Sequence, residues 1–440
     1  MDKMIIIGGG AAGMMTAIKA AKRYNVTLIE KNEKLGKKLF ITGKGRCNIT
    51  NDSDKDTFLN NVPTNSRFLF SAINEYDQSD VIRDFKSWGL PLKTERGNRI
   101  FPVSDHSSDV IKTLENEMKK NNVQVLLNTN CEGFILEDYY SDDPKSKYEK
   151  KITGVRLRDN KGVKTLKADK VVLCTGGASY STTGSTGEGL EYLSMAGIST
   201  KRFMPSLVPF NIKESFCKDM MGLSLKNVNL KIILRAPKDG KKKKDRVLYD
   251  EFGEMLFTHF GISGPLVLTA SSYINKYFNC DTFKAENDLE CFVDIKPALD
   301  IETLDKRILR DFESNENKEF QNVLGLLLPR LMVPVVIKLS GIDEKRKVNM
   351  ITHDERMKLI SVLKNFPMTI DSLRGMNEAI ISSGGVLIKE IDPRTMELKK
   401  IKNLKVAGEI IDCDALTGGF NLQIAWSTAC LAADDRKTDD

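Results

Sequence analysis

The run Gly8-Gly9-Gly10-Ala11-Ala12-Gly13 has the spacing G-x-G-x-x-G, and it falls between the apolar stretch Met4-Ile5-Ile6-Ile7 and a helical pattern starting near Ala11. In that setting each glycine has a task. Gly8 permits the tight turn, Gly10 lets the backbone approach a pyrophosphate, and Gly13 lets helix and strand pack closely. The helix start adds free N–H groups and the positive end of its dipole, while Ala11 and Ala12 line the same approach. Glu30 ends the next apolar stretch, Val26-Thr27-Leu28-Ile29, about 20 residues on, where an acid accepts hydrogen bonds from a ribose. An ADP-containing cofactor is expected here, and this unit alone does not separate FAD from NAD.

Two further segments carry chemistry. Thr42-Gly43-Lys44-Gly45-Arg46-Cys47-Asn48-Ile49-Thr50-Asn51 is dense in small, polar and basic residues. Its glycines let backbone N–H groups face a ligand, and Lys44 and Arg46 supply positive charge for phosphate; a surface turn is the competing reading. Near the other end, Gly408-Glu409-Ile410-Ile411-Asp412 leads into Thr417-Gly418-Gly419-Phe420-Asn421-Leu422-Gln423, again a strand, a glycine turn and a helix start. In flavoproteins with two dinucleotide folds, this arrangement places an acid by the ribityl chain. It also aims a helix N-terminus at the flavin N1–C2 carbonyl, where negative charge gathers on reduction. One phosphate fingerprint at the start and one flavin-type element near the end point to an extended FAD.

Among three histidines, His259 precedes the turn Gly261–Pro265 and is a candidate proton donor near neutral pH; fixing that turn is its alternative role. Tyr180, just after Gly176-Gly177, is the other candidate acid. His106 and His353 lie in polar surroundings and are assigned no catalysis. The eight cysteines (Cys47, Cys131, Cys174, Cys217, Cys280, Cys291, Cys413, Cys430) include no Cys-x-x-Cys, which argues against zinc or a disulfide framework and suits a reducing cytoplasm. No metal site is expected. Cys47 has no cysteine partner before Cys131, so it is expected to pack beside the flavin rather than relay thiols.

Residues 4–30 make one βαβ unit, and Lys170-Val171-Val172-Leu173-Cys174 is a further buried strand stopped by Thr175-Gly176-Gly177. Residues 123–169 read as strands and hairpins with a charged excursion from Glu137 to Lys150. Short alternating strands fill 195–300, the apolar spacing turns helical over 301–365, and sheet character returns at Met368–Ile370. Leu404–Glu409 rejoins the first domain, followed by a helix from about Asn421 to Ala433. The expected domains are 1–194 with 383–440 for the cofactor, 195–300 with 366–382 as a β-rich insert, and 301–365 as its helical part.

The 440 residues suffice for two or three domains. With 41% hydrophobic and 29% charged residues, the chain as a whole is not disordered, collagen-like or coiled coil. Lys and Arg number 67 against 60 Asp and Glu, a net +7 that comes partly from Lys241–Lys244, read as a solvated hairpin tip; nucleic-acid binding gains little support. The apolar N-terminus belongs to the nucleotide fingerprint rather than to a signal peptide. Pro329, Arg330, Pro334 and Lys338 disqualify Val323–Leu339 as a membrane span, so a cytoplasmic protein is expected.

Several segments occur in an order that resembles one family. They are Gly43–Asn51, Arg99-Ile100-Phe101-Pro102-Val103-Ser104-Asp105, Thr175–Tyr180 with Gly184-Ser185-Thr186-Gly187-Glu188-Gly189, Leu256–Pro265, and Gly408–Trp426. Together they look like the HI0933-like (YhiN-like) bacterial flavoproteins. The resemblance implies an α/β fold: a Rossmann-like FAD-binding domain of the two-dinucleotide-binding-domain type, built from both chain ends, with an inserted β-barrel plus helical domain. It implies an NAD(P)/FAD-dependent oxidoreductase. Some relatives are associated with reducing conjugated C=C bonds of 3-oxo bile acids, others with oxidising aminoketones.

Carried over position by position, the resemblance places Gly8, Gly10, Ala11, Ala12 and Gly13 at the pyrophosphate and Glu30 with Lys31 at the adenosine ribose. Arg46, Cys47 and Asn48 go to the phosphates or flavin. Cys131 stands where many flavoproteins use a valine whose backbone contacts adenine. Thr175, Gly176 and Gly177 pass close to the cofactor, and Gly408, Glu409, Asp412, Gly418, Gly419, Asn421, Leu422 and Gln423 surround the ribityl chain and pyrimidine edge. The expected reaction is NAD(P)H-driven reduction of an activated C=C bond in an enone, steroid-like for choice, with NAD(P)H meeting the flavin transiently because only one dinucleotide fingerprint exists. An oxygen-using amine or aminoketone oxidase is the first alternative, and a flavin-containing module for RNA or a protein partner the second.

Overall fold

The apolar run at the N-terminus forms the strand Lys3–Ile7, with residues 4–7 buried, as a parallel strand covered on both faces requires. In the computed structural model, which describes residues 1–140, 147–236, 244–279 and 289–434, this strand is the centre of a five-stranded parallel sheet. The order is Leu404–Val406, Lys170–Leu173, Lys3–Ile7, Asn25–Ile29, Gln124–Leu126. Ile7 pairs with Leu173 on one side and Ile29 on the other, so the three strands end level and their following loops open on one edge. Ligands of open α/β sheets bind outside that carboxyl edge. The strand Leu404–Val406 brings the far end of the chain into the same sheet.

Two helices cover this core. Ala11–Ala20 packs against Phe420–Ala433, whose residues are buried almost all round. Trp426 sits fully buried in the second helix, edge-on to Phe85 at 5.7 Å, with its indole N–H donating to the Ile49 carbonyl at 2.9 Å. That bond satisfies the one polar atom a buried indole carries.

Lys405, in the edge strand, is also buried; its ammonium donates to the Asp434 carbonyl at 2.6 Å, just beyond the last helix. Burial pushes its pKa down from 10.5 to about 8, against the attraction of Glu397. The unfolded chain therefore holds more protons than the folded one between these values. Stability should rise with pH through that window, with the full cost of the buried charge present below it. Urea unfolding at the two ends of the window should show this rise in the wild type and lose that contribution in Lys405→Met.

The chain divides into two compact units, Met1–Pro205 with Met376–Asp440, and Ser206–Gly375. These boundaries differ from the expected 194/195 and 382/383. The alternating stretch Thr200–Ser206 pairs with Ile381–Val386 in a two-stranded sheet of its own, rather than with the strands of the insert. Alternation marks a strand but not its partner, which is why the sequence pattern assigned Thr200–Ser206 to the insert and drew the second boundary through Ile381–Val386.

The second unit holds a seven-stranded sheet in the order Phe366–Met368, Leu289–Asp294, Ser224–Leu234, Arg246–Thr258, Gly261–Ser263, Phe210–Ile212, Ile370–Leu373. Its two edge strands are separated in the chain by Thr369 alone, so the sheet must curl until its edges meet, which is barrel geometry. The helices Ile301–Glu313, Phe320–Leu324, Val333–Ser340 and His353–Lys364 share one core with it, Leu304, Ile308 and Leu363 joining Leu230, Ile232 and Phe366. Two are capped as their sequences demand: Asp300 accepts from the Thr303 N–H, and Thr352 forms a capping box with Glu355.

Lys241–Lys243 of the expected hairpin tip, residues 141–146 of the charged excursion, and Cys280 lie outside the described residues. The strands flanking both loops pair antiparallel. No helix among the described residues is long and apolar enough to cross a membrane, and no group of three or more His, Cys, Asp or Glu among them could hold a metal ion.

Candidate functional site

The glycine turn after the first strand divides by what each glycine touches. A Cβ on Gly8, whose φ is +105°, would lie 2.4 Å from the Cys174 carbonyl oxygen, and one on Gly13 would lie 1.8 Å from that of Gly8. These two close approaches seat the helix on the strand. Gly10 is different: a Cβ there meets nothing within 4 Å, so the helix N-terminus faces open space. Ala12 packs under the Gly408 turn, where a Cβ would come within 2.7 Å of it; Ala11 is half-buried. Glu30 is buried, with Oε2 accepting from the Gly9 N–H at 2.7 Å and Oε1 from the Asn32 N–H at 2.8 Å and amide Nδ2 at 2.7 Å. Lys31 pairs with Glu188 at 2.6 Å and donates to Thr186 at 3.0 Å, tying this loop to the Gly184–Gly189 segment.

The loop from Thr42 is docked, not a free surface turn. Thr50 Oγ1 donates to Gln423 Oε1 at 2.5 Å, and Asn51 Nδ2 to the Gly418 carbonyl at 2.9 Å. The loop turns through consecutive left-handed residues, Gly43 (φ 56°), Lys44 (57°) and Gly45 (83°), and Cys47 is left-handed as well. Cys47 is fully buried, and burial pushes its thiol up to about 12, which leaves it inert as a nucleophile. Asn48 Oδ1 is buried with no hydrogen-bond partner, at the Gly418-Gly419 turn.

Arg46, expected at the phosphates or the flavin, is engaged by protein groups. Its guanidinium pairs with Glu95 and Asp105 and lies over the Phe101 ring at 4.3 Å, so two carboxylates already neutralise it. Lys44 is exposed and held in a conformation that disfavours every side chain. Lys44→Gly should therefore raise stability by up to about 1 kcal/mol, read from thermal unfolding, since only glycine adopts this turn without strain.

The last helix starts where the loop meets it. Gly418 (φ 128°) and Gly419 (φ 100°) form the turn, and a Cβ on Gly419 would lie 2.5 Å from the Thr50 carbonyl carbon. Asn421 closes the preceding loop, accepting from the Ala415 N–H at 2.9 Å and donating to its carbonyl at 2.7 Å; Leu422 is half-buried. No acid stands in the first turn, so the positive end of the dipole is uncompensated.

Gln423 is likewise engaged by protein groups. It is buried, and its amide is taken up by Thr50, the Tyr76 carbonyl (3.2 Å) and Ser427 (2.9 Å), so it braces the helix start. Its place one turn along the helix turns it inward, which a linear motif does not display. Asp412 is buried beside Lys201 at 3.3 Å, its carbonyl accepting from Asn65 at 2.7 Å.

Thr175 Oγ1 is another buried atom without a partner, next to Gly189. Gly176 is left-handed, and Gly177 is pressed so close that a Cβ would lie 2.4 Å from Ser382 Oγ and 2.8 Å from Glu409 Oε1. Glu409 pairs with Lys38 at 2.6 Å, a residue the motif reading did not single out. The Cys131 carbonyl accepts from the Tyr192 hydroxyl at 2.5 Å, and burial lifts the Cys131 thiol to about 11.

The catalytic candidates divide between the two units. Tyr180, in the first, is half-buried and left-handed (φ 55°), its carbonyl accepting from Thr183. His259, in the second, is exposed on the turn before Gly261–Ser263, with its ring edge-on to Phe260 at 5.0 Å. That turn is set by glycine: a Cβ on Gly261 would lie 2.3 Å from the Phe210 carbonyl oxygen, which leaves no need for His259 to fix it. His106 and His353 are exposed.

The first unit thus gathers residues 8–13, 30, 48, 175–177, 408–409 and 418–419 around the carboxyl edge of its sheet. The open face at Gly10 and the unpartnered Asn48 and Thr175 oxygens fit an extended dinucleotide. Residues 2–435 match the family model described as HI0933-like protein Rossmann domain. The chain belongs to this family. It is 27% identical over 436 residues to the 3-dehydro-bile acid delta(4,6)-reductase of Clostridium scindens, covering 98% of both chains. It is 28% identical over 433 residues to the ribosomal RNA dihydrouridine synthase of Escherichia coli K12, covering 98% of this chain and 97% of that one.

Among solved structures, the 3-ketosteroid delta1-dehydrogenase of Sterolibacterium denitrificans superposes with a TM-score of 0.50 at 13% identity, over 98% of this chain and 99% of that one. The 3-ketosteroid-delta4-(5alpha)-dehydrogenase of Rhodococcus jostii RHA1 does so with the same TM-score and identity, over 99% and 97%. These two likenesses show the fold. The HI0933-like chain is an FAD-binding flavoprotein of the oxidoreductase class, with a Rossmann-like first unit.

Proposed function

We propose that this protein reduces a carbon–carbon double bond conjugated to a carbonyl, with NAD(P)H as electron donor and an enone of the 3-oxo steroid or bile-acid kind as substrate. One observation carries the reading. The two relatives at 27% and 28% identity act on unrelated molecules, yet both names describe saturation of a C=C bond conjugated to a carbonyl: a 3-oxo bile acid in one, the uracil ring in the other. Bound FAD supplies the hydride chemistry.

The chain's own part is binding and charge placement. The open helix start at Gly10 takes the pyrophosphate, and Glu30, already oriented by Gly9 and Asn32, takes the ribose. The uncompensated N-terminus of the last helix favours negative charge at its turn. Tyr180, in the cofactor unit, is the proposed donor of the proton that completes the reduction. With a single dinucleotide fingerprint, NAD(P)H exchanges at the site rather than occupying a domain of its own.

The relative named for ribosomal RNA supports a second reading, in which the conjugated bond is that of uracil in RNA. The near-balanced charge, 67 basic against 60 acidic residues, favours the small molecule, because RNA affinity is carried largely by basic groups. Anaerobic titration of the FAD-loaded protein with NADH and NADPH, followed by 3-oxo-4-ene steroids or uridine-containing RNA, separates the readings. Bleaching by a nicotinamide and a steroid product two hydrogens heavier is the expected result. Bleaching only by amines would establish the oxidase alternative, and a mass gain confined to RNA would establish the second reading.

A further inference from the structure

Three segments remote in sequence converge on the Glu409 carboxylate. Oε1 accepts from the Ser382 N–H at 2.8 Å and the Ser179 hydroxyl at 3.3 Å, and Oε2 accepts from Lys38 Nζ at 2.6 Å. Lys38 also donates to Ser179 Oγ at 2.6 Å. Ser382 Oγ in turn accepts from the Ala178 and Ser179 N–H groups at 2.8 and 3.1 Å, which fixes the Gly177 backbone against the acid. Lys37 and Lys38 are neighbours on the short helix Lys37–Ile41, but Lys37 turns to Asn32 and Glu33.

Stability does not explain this convergence. Lys38 and Glu409 each keep 22% of their side-chain surface exposed, and an ion pair open to solvent contributes little net stability. Exposure does leave valences open to one side: the third ammonium hydrogen of Lys38 and a lone pair on Glu409 Oε2. The pyrophosphate of FAD is anionic, and Lys38 meets one carboxylate where Arg46 meets two.

We propose that Lys38 is a cofactor-binding residue, acting with Glu409 as an adjacent donor and acceptor for the ribityl–pyrophosphate stretch of FAD. This rests on the reading that Glu409 faces the cofactor. Flavin-fluorescence titration of apoprotein tests it with Lys38→Gln, Lys38→Arg, Glu409→Gln and the double variant Lys38→Gln/Glu409→Gln, each checked by circular dichroism and thermal unfolding without FAD. Lys38→Gln should weaken FAD about tenfold while unfolding as the wild type does, and Lys38→Arg should recover most of that loss. The double variant should bind no more weakly than the worse single one, because the two groups act as a unit.

Wild-type affinity in Lys38→Gln, or losses that multiply in the double variant, would overturn the proposal. Ser179→Ala, which removes only the second acceptor of Lys38, gives a milder loss in the same direction and serves if Lys38→Gln fails to fold; unchanged affinity there would count against it. A wild-type protein that takes up no FAD would sink the cofactor reading itself, a result distinct from wild-type binding that Lys38→Gln merely matches.

Discussion

Gly10→Ala should fold like the wild type and lose FAD, while Gly13→Ala should lose both. Gly10 has an ordinary backbone conformation (φ −83°) and nothing within 4 Å of an added Cβ, so the free protein tolerates the methyl. The methyl instead enters the space through which a pyrophosphate reaches the helix N-terminus. A loss of about 100-fold in FAD affinity, roughly 3 kcal/mol, is expected with unfolding unchanged.

At Gly13 the added Cβ would lie 1.8 Å from the Gly8 carbonyl oxygen. Gly8 is itself held in place, its N–H donating to the Ile29 carbonyl at 2.8 Å. Backbone on backbone has no flexible side chain to move, so about 3 kcal/mol of stability should go with the cofactor site. Thermal unfolding of the apo forms beside flavin titrations reads both effects. Equal destabilisation by the two variants would show that Gly10 packs rather than admits a ligand.

Gln423→Leu should remove about 3 kcal/mol of stability and leave the visible flavin spectrum of the loaded protein unchanged. Leucine matches the volume, but the Thr50 hydroxyl loses its buried acceptor, and the bonds to Tyr76 and Ser427 go with it. Since all three partners are protein, no flavin contact changes. A shifted spectrum with normal stability would place the amide against the flavin after all. Denaturant unfolding followed by tryptophan fluorescence, together with an absorption spectrum, decides between these.

The comparison of Arg46 with Lys38 shows where reading by motif stops. Both are cations in a glycine-rich stretch near a phosphate fingerprint, and the spacing singled out Arg46. In the fold, Arg46 meets Glu95 and Asp105 on a neighbouring hairpin, while Lys38 reaches Glu409 from the other end of the chain. Nothing local distinguishes them, because each partner lies tens to hundreds of positions away. The strand Thr200–Ser206 makes the same point about domains: its strand character is visible in the sequence, and its partner Ile381–Val386 is not.

The sequence by itself determined the local geometry: a buried strand running into Gly8–Gly13, a strand ending in an acid at Glu30, glycines at 418 and 419 that permit left-handed turns, and a change of apolar period where the insert begins. These follow from φ limits and side-chain periodicity, which act over a few residues. Which polar groups are already satisfied and which remain open follows from long-range packing. Arg46 and Gln423 are closed by protein partners, whereas Asn48, Thr175 and the Lys38–Glu409 pair still have valences to offer. Hydrogen-bond saturation is a property of groups brought together by long-range packing, so no stretch of chain carries it alone.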